Sequence, residues 1–146
     1  MPLSLLAIAL LVLLPVAWFV GLADEHEPLR CTTPSAGMAN SIESIMNDHR
    51  THLENVQVVD AHDLHYESLY YDSGKVYVDD VYVGVGTWGT NYMDSPGFRP
   101  GSQNRRWYSV RPVNALAKAI STDPFGLRSP NENKAARFSQ HCVTAS

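Results

Sequence analysis

The sequence predicts an α+β protein: one N-terminal helix packed on a mainly antiparallel, twisted sheet, with the two ends tied by one disulfide. Three observations predict it. An apolar stripe at helical spacing comes early, at Met38, Ile42, Ile45, Met46 and Leu53. Short segments rich in Val and Tyr follow, interrupted by Asp, Ser and Gly. Two cysteines, Cys31 and Cys142, stand near opposite ends of the chain. One helix followed by a run of strands is the α+β pattern, not the alternating pattern of a parallel sheet.

Taken in order, residues 3–23 carry no charged side chain and end in small residues, Gly21 and Ala23, before Asp24-Glu25. They read as a secretory signal peptide over residues 1–23, leaving one domain at 24–146 with enough chain for a single core. The alternative is an uncleaved anchor, because the apolar run is almost long enough to span a membrane and no Lys or Arg follows Met1. No second long apolar segment follows, and no Asn-x-Ser/Thr sequon is present. In an oxidising compartment Cys31 and Cys142 are expected to pair.

The stripe gives a helix over residues 38–54, with Glu43, Asn47, Arg50 and Glu54 on its polar side. Residues 56–61 and 66–71 read as strands. Asp72-Ser73-Gly74 reads as a tight turn, its glycine supplying positive φ. Residues 75–85 read as the return strand, with a bulge or second bend at Asp79-Asp80. Residues 86–106 form a long loop rich in Gly, Pro, Asn and Ser. A strand at 106–110 follows, then a short helix opened by Pro112, a loop at 121–133, and a final strand at 135–143 carrying Cys142.

Charge is unevenly spread. The net charge is −4, yet residues 24–95 set 13 acids against Arg30, Arg50 and Lys75, while residues 96–146 set eight bases against Asp123 and Glu132. A basic C-terminal half suits phosphate or an acidic partner. Neutralisation between the two halves within the fold is the other account.

Five of the six histidines come early: His26, His49, His52, His62 and His65. His49 and His52 fall one helical turn apart. His62 and His65 lie among Asp60, Asp63 and Glu67. Such a group can bind zinc or copper, but the spacing matches no metal motif, so no metal ligand set is assigned and no cofactor is expected. There is no Gly-x-Ser-x-Gly, no free cysteine with a matched histidine, and no phosphate-cradling glycine loop before a helix. What remains is acid/base chemistry. His65 and Glu67, two apart on a strand, point to one face. With an arginine beside them they form a set suited to phosphodiester transesterification. Ordinary amphipathic surface explains the same alternation.

Tyr66-Glu67, then Ser73-Gly74-Lys75-Val76-Tyr77, then Ser95-Pro96-Gly97 ahead of Arg105-Arg106-Trp107 resemble the motifs of small secreted fungal guanyl-specific ribonucleases. The layout also resembles the ribonuclease-like effectors of plant-pathogenic fungi, with a cysteine before the helix and another near the end. The resemblance covers most of the mature chain as a layout and some ten residues as motif. It implies a ribonuclease-like fold with Glu67 as base, His62 or His65 as the first histidine, and Arg105 or Arg106 on phosphate. The family's second, late histidine has no counterpart between Trp107 and Gln140. Loss of one proton-transfer group costs 10²–10⁴-fold in rate, so the resemblance implies a scaffold that binds rather than turns over.

The expectation is therefore a secreted, extracellular, monomeric effector-type protein. It binds a host protein or RNA, and neither DNA nor, once the leader is removed, a membrane. The expected binding surface is the loop with Trp88, Tyr92, Phe98 and Arg99 beside Arg105 and Arg106, since aromatics among arginines suit base stacking or a protein hot spot. Packing of Trp88 and Phe98 into the core is the competing account. An active endoribonuclease and a metal-binding protein are the alternatives.

Overall fold

Val, Thr and Tyr form strands where their side chains can alternate between two covered faces, and the middle of this chain is built that way. The computed structural model describes residues 28–91, 110–122 and 130–146. Helix α1 (Ala36–Glu43) precedes β1 (Thr51–Asp60). A 3-10 turn (His62–Leu64) leads to β2 (Tyr70–Val78) and β3 (Val81–Thr90). Then come β4 (Val110–Pro112), α2 (Ala115–Ile120) and α3 (Lys134–Thr144). The four strands form one antiparallel sheet in the order β1-β2-β3-β4. The α+β class and the Cys31–Cys142 disulfide are as the sequence predicts, with the two Cα atoms 5.7 Å apart. The signal-peptide reading of 1–23 lies outside the described residues.

Strand parity divides the sheet into two faces. On one, Met38 and Ile42 of α1 and Ala117 of α2 pack against Leu53, Val56, Val76 and Trp88. On the other, Ala135, Ala136 and Cys142 of α3 pack against Val59 and Tyr71. The sheet is thus covered from both sides, and the arrangement of one N-terminal helix on a sheet is corrected to helices on both faces. A buried hydroxyl chain fastens α3: Ser73 Oγ lies 2.7 Å from Ser139 Oγ and 2.9 Å from Thr87 Oγ1. Asn133 caps the helix by accepting from Ala136 N–H at 3.0 Å and donates to the Tyr71 hydroxyl at 2.6 Å.

Several element assignments differ from expectation; residues 86–90, expected in a loop, complete β3, and β2 begins at Tyr70, not at residue 66. The helix expected over 38–54 ends at Glu43, and residues 51–54 belong to β1. The Glu43 carboxylate accepts the Leu53 N–H at 2.7 Å, joining the end of α1 to the edge of that strand. The turn expected at Asp72-Ser73-Gly74 lies at Asp79-Asp80, whose φ values of 50° and 63° suit a two-residue hairpin turn. Gly74 stays in the strand, where a Cβ would stand 3.1 Å from Val56 Cγ2; its smallness admits the bulge of β1, in which Asn55 takes φ 51°.

The final strand expected at 135–143 is helix α3. Its buried residues Ala135, Ala136, Ser139, Cys142 and Val143 recur at helical spacing. Pro112 closes β4, and the short helix starts after it on an Asn114 cap. Of the strand expected at 106–110, Val110 belongs to β4 and the rest lies outside the described residues.

Candidate functional site

The bend between β1 and β2 carries the histidines singled out in the sequence. His62 sits in the 3-10 turn, and its Nδ1 lies 2.7 Å from Asp60 Oδ1. The His62 backbone N–H donates to the same oxygen at 2.9 Å. Its Nε2 faces the Tyr70 hydroxyl at 3.5 Å, and the two rings meet edge to face with centroids 4.7 Å apart. Partial burial raises the Asp60 carboxyl, but the hydrogen bonds and charge from His62 outweigh it and hold Asp60 below the usual carboxylate range. Burial, then the Asp60 charge, push the Tyr70 phenol up.

His65 and Glu67 do not share a strand face. His65 takes φ 52° as it closes the 3-10 turn, and Glu67 lies in the bend before β2. Both are exposed. Among the described residues no hydrogen bond or ion pair joins either of them to His62. The pairing of His65 and Glu67 on one strand is therefore corrected, because the strand that would align them begins only at Tyr70.

Trp88 is fully buried and donates from Nε1 to Ser121 Oγ at 3.0 Å. It anchors the core between α2 and the sheet. Tyr92, Phe98, Arg99, Arg105 and Arg106 lie outside the described residues. His49 and His52, placed one helical turn apart by the helix reading, stand instead in an exposed turn and on β1. Among the described residues no group of three His, Cys, Asp or Glu side chains is placed to hold a metal ion, and no helix is long and apolar enough to cross a membrane.

A different surface emerges from the register. Helix α3 covers the face of β2 that bears Tyr71 and Ser73, and its last residues reach the bulge: Asn55 Nδ2 donates to Val143 O at 3.2 Å. Among the described residues no helix lies over the sheet past that point. There His52 of β1 stacks on its register partner Tyr77 of β2, with centroids 5.2 Å apart and planes 11° apart. Tyr77 meets its own partner Tyr82 of β3 at 5.6 Å. The result is an aromatic row across three strands. Tyr82 is 50% exposed, between Val81 at 63% and Val83 at 46%. Glu54 stands beside the row, its Oε1 3.6 Å from His52 Nε2. Desolvation, then the charge and hydrogen bond of Glu54, push the Tyr77 phenol up.

The sequence carries this surface as a period of two, in His52-Leu53-Glu54 and Lys75-Val76-Tyr77, but reading 38–54 as a helix hides the first and placing the turn at Gly74 misaligns the second. One more ionisable group is buried. Asp72, on the opposite face of β2, accepts from Thr90 Oγ1 at 2.9 Å through Oδ2, while Oδ1 has no partner among the described residues. Burial pushes its carboxyl up to about 8 against the smaller lowering effect of Thr90. Comparison with family models, curated proteins and solved structures found no match to this chain.

Proposed function

We propose that this is a small secreted protein of the effector type, on a ribonuclease-like layout, that acts by binding a host protein and not by turnover. The observation that carries the reading is the aromatic row His52–Tyr77–Tyr82, over which no helix lies among the described residues and whose Tyr82 is half exposed. Tyr at the centre of a rigid surface is a frequent binding anchor. Carboxylates at Glu54, Asp79 and Asp80 outnumber the cations Arg50 and Lys75 beside the row, which disfavours phosphate and so favours a protein over RNA. On the catalytic side, Glu67 and His65 stand in an exposed bend with no bond to His62.

Endoribonuclease activity is the second reading, supported by the 2.7 Å contact between Asp60 and His62, which leaves the imidazole oriented for proton transfer. One experiment separates the two. The disulfide-bonded protein is incubated with end-labelled single-stranded RNA across neutral pH. The expected result is intact RNA. Cleavage that disappears in His62→Ala or Glu67→Gln replaces binding with turnover.

A further inference from the structure

We infer that the open half of the sheet face, at His52, Tyr77 and Tyr82, docks an arginine- or lysine-bearing segment of a partner protein. This rests on the binding reading above and adds the chemistry of the ligand. The aromatic row is partly exposed where α3 has ended, Tyr82 most of all. Carboxylates outnumber cations around it: Asp48, Glu54, Asp79 and Asp80 stand against Arg50 and Lys75, the latter being the register partner of Glu54. Asp48 and Asp79 both hold Arg50, at 2.7 Å and 3.0 Å, so that arginine is committed. Asp80 carries no ion pair among the described residues, and Glu54 faces the row itself. A guanidinium or ammonium stacks on a phenol face and pairs with a carboxylate, and both are offered here on neighbouring strands. Single-stranded nucleic acid finds the rings but brings its phosphates against these acids. A second copy of the chain brings acid against acid.

Strand addition is the other way to use an exposed hairpin, and the outer edge of β3 is largely closed to it. Asn114 Nδ2 donates to Val85 O at 2.8 Å, Asn114 Oδ1 accepts from Thr87 N–H at 3.2 Å, and Val113 N–H donates to Thr87 O at 2.8 Å. β4 then pairs from Trp88 to Thr90. Such edge capping discourages strand addition at β3, and at the other edge, β1, Thr32 exchanges backbone bonds with Val58 and Glu43 accepts the Leu53 N–H.

The test is a two-dimensional NMR titration of the disulfide-bonded protein, following the ring resonances of His52, Tyr77 and Tyr82. Three probes are used: a peptide of sequence Arg-Gly-Arg-Gly-Arg, the same peptide with Gln for Arg, and deca-uridylate. The arginine peptide is expected to move the three rings and the glutamine peptide to leave them unmoved. Tyr82→Ala should weaken the effect about 2–5-fold, the size of an exposed cation–π contact. Glu54→Gln, which keeps shape and removes charge, should weaken it as well, and serves where the tyrosine variant unfolds. If the glutamine peptide or deca-uridylate moves the rings equally, the cationic specificity is overturned while the surface remains a binding surface. If no probe moves them, or if they shift with protein concentration alone, the inference is overturned outright. RNA cleavage abolished by His62→Ala overturns the underlying binding reading independently of these titrations.

Discussion

Asp72 is enclosed by the sheet and its covering residues, with one carboxyl oxygen bonded to Thr90 and the other without a partner among the described residues. An ionised carboxylate there is costly, so the acid stays protonated in the folded chain up to about pH 8. In the unfolded chain it ionises near 3.8. Between those values the native state holds more protons than the unfolded state, so stability falls as pH rises. The slope for one proton is about 1.4 kcal/mol per pH unit. The contribution is fully present below about pH 4 and is lost once pH passes 8. Denaturant midpoints measured from pH 5 to 9 should therefore decline with pH. Asp72→Asn, which cannot ionise, should flatten that decline and be more stable than the parent protein at pH 9.

At the scale of elements, the two ends of the chain differ in how clearly their sequence shows their structure, for a physical reason. The helix at 36–43 and its stripe are legible because Met38 and Ile42 recur at helical spacing on a covered face. Its false extension to 54 follows from Leu53, which also fits the stripe but is buried as part of a strand. The register of β1 on β2 and the Glu43–Leu53 bond decide that case, and both are long-range. Helix α3 was legible and misread: alanine favours helix, Asn133 is a good cap, and the buried positions have helical period. Asn133→Ala should lower stability by about 1–2 kcal/mol through loss of the cap, and the same change removes the bond to the Tyr71 hydroxyl. Urea unfolding followed by tyrosine fluorescence measures it. A loss under 0.5 kcal/mol, well below the ~1 kcal/mol typical of such caps, would show that Asn133 does not cap α3 in solution.

For the whole molecule, the disulfide ties the two ends of the described chain together. It joins the segment ahead of α1 to α3 across 111 positions of sequence, and a loop of that size constrains the unfolded chain by about 4–5 kcal/mol on the entropic account. The total stability of a small domain is on the order of 5–15 kcal/mol, so this one bond accounts for a large share. Replacing both cysteines by serine should shift the urea midpoint strongly downward, and a reductant should do the same to the parent protein. An unchanged midpoint would mean that packing of α3 on Val59 and Tyr71 suffices without the bond.

By itself the sequence determined the α+β class, the pairing of Cys31 with Cys142 and the presence of a Val- and Tyr-rich sheet, because composition and cysteine count act locally and are read without neighbours. It also marked His62, though not its partner Asp60 as such. Tertiary structure alone decided which half of the sheet is covered and which is open. That depends on where α3 stops against the Asn55 bulge and on register pairs that bring His52, Tyr77 and Tyr82 together from three strands. A one-residue slip in a strand moves every side chain to the other face, so a surface of this kind exists only once the register is set.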